Sequence, residues 1–168
     1  TLLAQSDSCM GSKTSLNQRH FKNLLGTVYP PSEVWIDSRF VGTLSETDFY
    51  SGIGEIVKLH LMGGRATAEG IADEIARIGA GARSRLPELV HRALEIKYSY
   101  IKDDEFDTGR RNLLNYGHCF GHALESAADY AVPHGIAVVA GILLAEKVCL
   151  RGRVRSAERG GRNGAHML

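Results

Sequence analysis

Along most of the chain the apolar positions recur at helical spacing. Ser45 with Asp48 three residues on has the form of a capping box, and Ile53, Ile56 and Val57 carry the helix it opens to about Met62. Gly63-Gly64 then stops it. Ile71, Ile75 and Ile78 predict a second helix, with Gly79 and Gly81 near its end. A third is expected from about Pro87 to Lys102 on the series Val90, Ala93, Leu94 and Ile101. Lys97 falls on that same face, where a lysine either snorkels or is aimed into a polar site. After the acidic loop Asp103-Asp104-Glu105-Phe106-Asp107, closed by Thr108-Gly109, a fourth helix reads from about Leu113 to Asp129. A fifth reads from His134 to about Leu150, hydrophobic almost all round as a helix central to a bundle should be.

Residues 1 to about 44 follow a different pattern. Short β-like runs alternate with turn signals at Gly11-Ser12 and Pro30-Pro31, and Glu33-Val34-Trp35-Ile36 is a strand candidate. The fold class expected is therefore mainly α, with the helical domain over residues 45–150 and a small β-containing segment over 1–44. Residues 151–168, rich in arginine and glycine without apolar periodicity, read as a disordered tail.

Composition narrows the function classes. The chain has 168 residues, 43% hydrophobic and 23% charged, an ordinary soluble balance with enough apolar residues for a core. A formal net charge of +1 supplies no global field for nucleic acid or an anionic membrane, so anion recognition must come from local clusters. The longest apolar run, Ile136 to Ala145, is about half of the ~20 residues a membrane-spanning helix needs. Cys9, Cys119 and Cys149 are odd in number and far apart, which argues for reduced thiols in a cytoplasmic compartment. No basic region leads into an apolar one at the start, and Thr1-Leu2-Leu3-Ala4-Gln5 reads as the middle of a fold.

The chemistry concentrates in one stretch. Three of the seven histidines, His118, His122 and His134, fall within seventeen residues, and His118 and His122 are four apart in a helical segment, so both rings share a face. A histidine pair alone is more often packing coincidence. A third histidine after Pro133, and a carboxylate on another helix, shift the balance toward a metal ion or a proton relay. The pattern is not a zincin, because the glutamate of His-Glu-x-x-His is absent. On the Ser45 helix Glu55 and Lys58 share a face, which usually means only a surface ion pair. Gly52 and Gly54 beside them cost roughly 1 kcal/mol each relative to alanine, which suits a place where something approaches the backbone closely. Gly11-Ser12-Lys13-Thr14 evokes a Walker A loop but lacks its first glycine, so a P-loop is rejected. Lys13, Lys22 and Asn23 lie near turn residues, and Arg110 and Arg111 precede the histidine stretch; together they offer donors for a phosphate or carboxylate.

The segments Asp7 to Thr14, Lys22-Asn23-Leu24-Leu25-Gly26, Ser51 to Lys58, Leu114 to Glu125 and His134-Gly135 resemble 3-dehydroquinate synthase, of the sugar phosphate cyclases, in order and approximate spacing over residues 1 to about 150. The resemblance implies a two-domain α/β and all-α enzyme with its site in the interdomain cleft. Residues 1–44 would be a remnant of the Rossmann-like NAD-binding domain, and residues 45–150 the C-terminal helical metal- and substrate-binding domain. It implies that Glu55, His118 and His134 bind a divalent metal, zinc or cobalt, and that His122 is not a ligand. Asp7, Lys13, Asn23, Lys58, Lys97, Arg111, Asn115 and His122 would surround the substrate. Thr1, Lys13, Lys22, Phe40, Val41, Gly42 and Thr43 would match positions that touch NAD.

The activity so implied converts a phosphorylated seven-carbon keto acid to 3-dehydroquinate in the shikimate route to aromatic amino acids, in a cytoplasmic enzyme that is homodimeric at full length. NAD transiently oxidises a hydroxyl, the new ketone acidifies the adjacent proton, phosphate leaves, and reduction and an intramolecular aldol step close the ring. The family's usual Gly-Gly-Lys-Thr, Tyr-Gln-Pro and His-Gly-Glu stand here as Gly11-Ser12-Lys13-Thr14, Tyr29-Pro30-Pro31 and His134-Gly135-Ile136. Those changes resemble 2-deoxy-scyllo-inosose and valiolone synthases, whereas Asn115 and His122 keep the dehydroquinate type. The resemblance also implies a glycine-rich dinucleotide loop before Thr1 and further helices after Leu150. The chain by itself is accordingly expected to bind metal weakly or moderately and not to turn over. Two other classes remain: an iron-type polyol dehydrogenase, which should lack the Lys58, Lys97 and Arg111 set, and a noncatalytic helical remnant.

Overall fold

A computed structural model of the chain describes residues 1–18, 21–79, 81 and 83–152, with the side chains of Asn17, Phe21, Lys22 and Asn23 outside the described residues. A π-helical turn, Ala4–Ser8, leads into an antiparallel hairpin of β1, Lys13–Gln18, and β2, Phe21–Val28. Lys13 pairs with Val28 and Leu16 with Leu25. A 3-10 turn, Ser38–Thr43, then precedes five α-helices: α1 Glu46–Met62, α2 Arg65–Gly79, α3 Leu86–Ile101, α4 His118–Ala127 and α5 His134–Arg151. The mainly helical class, with one small sheet, is as the periodicity predicts.

α1 begins where the capping box places it. The Ser45 Oγ accepts the Asp48 backbone N–H at 3.1 Å and donates to Asp48 Oδ2 at 2.8 Å, a cap worth about 1 kcal/mol. Its apolar side chains Phe49, Ile53, Ile56, Leu59 and Met62 are buried, and Ile71 and Ile78 of α2 and Leu89, Val90, Ala93 and Leu94 of α3 close over them. Tyr100 of α3 donates to the Met62 carbonyl at 2.8 Å, tying α3 to the end of α1. α1 therefore lies in the middle of the molecule, packed against α2, α3 and α5.

The crossing of α1 and α5 explains the glycines that propensity disfavours. A Cβ on Gly54 would collide with the Gly135 backbone, and one on Gly135 with the Ser51 carbonyl. The two helices meet main chain to main chain, and the Gly135 N–H donates to Ser51 Oγ at 3.1 Å. That contact sets the first residue of α5, His134, directly beside Glu55.

Three expectations are corrected. The stretch 33–36 is no strand: it has no regular structure and no pairing partner, with Trp35 89% exposed, because Pro30-Pro31 ends the hairpin before it. The helix read from Leu113 to Asp129 is broken into a 3-10 turn, Arg110–Asn115, and α4, since Gly117 adopts φ 79°, a left-handed conformation no helix interior holds. α5 is not buried all round. Ala137, Val138, Gly141 and Ile142 face α1 and α4, while Leu143, Leu144, Val148 and Leu150 are exposed. The tail beyond Gly152 lies outside the described residues.

Candidate metal centre

Glu55 is fully buried on α1, where the flanking core fixes its direction. Its Oε1 stands 3.2 Å from His134 Nε2 and 3.7 Å from His118 Nε2, and these three ligand atoms lie within 4.8 Å of one another. His118 opens α4 immediately after the left-handed Gly117, so the helix break is what aims its ring at α1. The rings of His118 and His134 have centroids 5.3 Å apart. Oε1 is buried yet receives no hydrogen bond of acceptable geometry, despite two imidazole nitrogens beside it. Three ligand atoms so close together, one of them a buried carboxylate oxygen left unsatisfied, are the arrangement a cation would complete. One carboxylate and two imidazoles match the donor set of a catalytic divalent site, and the residues present fit such an ion.

The electrostatics agree. Burial alone would raise the Glu55 carboxyl, but the His134 ring and the Lys58 ammonium outweigh it and hold it well below the usual carboxylate range. Burial, with Lys58 nearby, depresses His118 to about 4, leaving a neutral ring suited to ligation. His134 moves the other way, raised by Glu55 against its own desolvation.

Around this centre the structure gathers cations from separate elements. Lys58 Nζ lies 2.5 Å from Glu55 Oε2 and 3.9 Å from Asp7 Oδ2, and Lys97 Nζ lies 2.6 Å from Asp7 Oδ1. The open question about Lys97 is thus decided: its buried ammonium points into a polar site. Arg111, buried, donates to the carbonyls of Gly11 and Glu105. Asp104 organises the loop that carries Arg111, accepting the N–H groups of Arg111, Thr108 and Gly109 at 2.9 Å each. Lys13 pairs with Asp107 at 2.5 Å at the base of β1, beside a cleft of about 800 Å³ lined by Ser12, Lys13, Thr14, Tyr29 and Pro30.

The remaining candidate residues are placed less centrally. His122 is one turn from His118 on α4, its ring 5.8 Å from that of His134 and partly exposed. Asn115 is exposed and donates to Asn112 Oδ1 at 2.9 Å. Thr1, Phe40, Gly42 and Thr43 are exposed, whereas the Val41 side chain is part of the core. The side chains of Lys22 and Asn23 lie outside the described residues. Two features went unread in the sequence. Asp107 and Glu105 face Lys13 and Ser12, and Glu125, buried on α4, faces both His122 and His134. The three-residue step from His122 to Glu125 was the available signal for the second.

The family model described as 3-dehydroquinate synthase N-terminal matches residues 1–51, and that described as 3-dehydroquinate synthase C-terminal matches residues 52–161. The chain belongs to the 3-dehydroquinate synthase family. It is similar to the 3-dehydroquinate synthase of Ruegeria pomeroyi, 39% identical over 99% of this chain and 46% of that protein. It also resembles that of Idiomarina loihiensis, 40% identical over 88% of this chain and 42% of that protein. The chain thus spans less than half the length of the relatives it matches.

Among solved structures it resembles 2-epi-5-epi-valiolone synthase from Streptomyces hygroscopicus subsp. jinggangensis 5008 with NAD+ and Zn2+ bound. The TM-score is 0.78 at 27% identity, over 96% of this chain and 46% of that one. A 2-deoxy-scyllo-inosose synthase shares the fold at TM-score 0.77 and 23% identity, over 100% of this chain and 49% of that one. Among the described residues no helix is long and apolar enough to cross a membrane.

Proposed function

We propose that this chain is the metal- and substrate-binding half of a 3-dehydroquinate synthase, a cytoplasmic carbon–oxygen lyase that eliminates phosphate from a phosphorylated seven-carbon keto acid and cyclises it with the help of NAD. The observation that carries the reading is the convergence of Glu55 Oε1, His118 Nε2 and His134 Nε2, with the buried Lys58 ammonium beside Glu55 and that of Lys97 joined to it through Asp7. When bound, a divalent ion such as zinc or cobalt supplies Lewis-acid polarisation of a hydroxyl or carbonyl oxygen.

The chain's own groups do the rest. Lys58, Lys97, Arg111 and Lys13, with Asn23, hold the phosphate and carboxylate and stabilise charge as the phosphate departs. Asp7 fixes Lys58 and Lys97 so that both ammonium groups face one site. His122, partly exposed beside the centre, holds or moves a proton at its ring nitrogen, and Asn115 offers an amide to the substrate. Residues 1–44 belong to the NAD-binding domain, with Thr1, Lys13, Lys22 and Phe40 to Thr43 on the dinucleotide side, and residues 45–150 form the metal- and substrate-binding domain. The complete enzyme is read as a homodimer. This 168-residue chain alone binds metal weakly or moderately and does not turn over.

Zinc titration of the chain against His118→Ala and His134→Ala tests the reading. Both substitutions are expected to abolish measurable binding, and equal binding by all three would overturn it. A second reading, cyclisation of another sugar phosphate, is favoured by the 27% identical valiolone synthase and by Ile136 in place of a glutamate. Product analysis of the full-length protein with each substrate class separates the two.

A further inference from the structure

Among the described residues Glu125 is the one buried acid near the centre to which neither the ligand set nor the substrate set gives a role. It sits on α4, 6% exposed, where α4 and α5 come together closely: a Cβ on Gly121 would stand 3.1 Å from the Ala137 carbonyl oxygen and the Val138 Cα. That approach brings Glu125 over the first turn of α5. Its Oε1 lies 3.1 Å from His134 Nδ1, while the opposite nitrogen, Nε2, faces Glu55 Oε1 at 3.2 Å. His134 is therefore held between two carboxylates from two helices, one on each ring nitrogen.

An ionised carboxylate only accepts, so the contact with Glu125 requires the proton on Nδ1. A neutral ring with its proton there presents the Nε2 lone pair to the point where Glu55 and His118 converge. We propose that Glu125 is a positioning residue: by accepting the Nδ1–H of His134 it selects the tautomer and fixes the ring plane that make Nε2 a ligand. The inference rests on the metal-centre reading above and deepens it. A carboxylate behind a ligating histidine orients the ring and raises its basicity, and its removal typically weakens metal affinity by about 10- to 100-fold.

The same atoms admit a competing role. His122, Glu125 and His134 also form a group whose ligand atoms lie within 4.8 Å of one another, so Glu125 could itself be a ligand of a second ion. Zinc titration of the full chain, with stoichiometry, separates the two, using Glu125→Ala and Glu125→Gln. One zinc per chain is expected, with affinity about 10- to 100-fold weaker in Glu125→Ala and a smaller loss in Glu125→Gln, whose amide oxygen still accepts. Unchanged affinity in a folded Glu125→Ala overturns the inference and leaves the metal centre standing. A second zinc lost with Glu125 overturns it by making Glu125 a ligand, and absence of zinc binding by the parent chain overturns both. A measurement on the parent needs no variant: nitrogen-15 ring correlations of metal-free His134 at alkaline pH should show the proton on Nδ1, and a proton on Nε2 would refute the assignment.

Discussion

The two ends of the chain treat their apolar residues in opposite ways. Where α1 meets its neighbours the helices enclose a core: Phe49, Ile56, Leu59, Ala137 and Val138 are essentially inaccessible, and even the charged Glu55 and Lys58 are buried among them. In the segment from Leu16 to Phe40 the same residue types lie open, with Leu16, Leu25, Tyr29, Trp35 and Phe40 all more than half exposed. A hairpin has two faces and two edges, and two strands alone cannot cover either face. Around α1 the bundle supplies its own burial; the hairpin does not. The functional consequence is that the proposed metal ligands sit around the enclosed core, whereas among the described residues proposed for NAD Phe40 lies open and only Val41 is buried in the core.

The contrast can be broken most severely at Glu55. Glu55→Ala leaves the buried Lys58 ammonium without its nearest partner, and chemical denaturation should register a loss of about 3–5 kcal/mol, with zinc binding gone. Should the variant unfold at the parent's denaturant midpoint, the ion pair would not be the buried element described. Next comes Gly135→Ala, whose new methyl meets the Ser51 carbonyl; the α1–α5 crossing must open, at about 1–3 kcal/mol, and zinc affinity should fall with it because His134 moves. An unshifted midpoint would mean the crossing has slack.

A smaller effect is expected from pH. His60 is buried on α1, pushed below its ordinary value of 6.5 by burial, against its own Nδ1 contact with the Ile56 carbonyl, and Nε2 has no partner. Its folded form prefers the neutral ring, so the unfolded chain binds the extra proton first. Stability from this group is fully present above 6.5 and is lost as pH falls from there toward the depressed folded value. Denaturation of the parent and His60→Gln across that window should show the steeper decline in the parent; parallel curves would remove His60 as the cause. Least of all, Trp35→Ser in the open segment should shift stability within about 0.5 kcal/mol. A larger drop would show that Trp35 is covered in solution.

Legibility followed locality. Ser45 and Asp48 announced the start of α1 because a cap is made by residues three apart, and Gly63-Gly64 announced its end for the same reason. The break at Gly117 escaped because a glycine within an apolar helical pattern is tolerated as often as it interrupts, and only φ 79° distinguishes the cases. The 33–36 stretch has strand-like residues, but a strand exists only with a partner, which composition cannot announce. Lys97 could be placed on a face from spacing alone; that the face looks onto Asp7, ninety residues away, could not.

The sequence by itself determined the helix periodicity, the caps, and the side chains able to ligate, because these depend on residue type and short spacing. Only the tertiary structure decided that Glu55, His118 and His134 share one point, that Glu125 backs His134, and that one side of α5 lies open. Those outcomes depend on how closely glycine-bearing helices can approach, and helix approach is a property of packed surfaces and not of any segment alone.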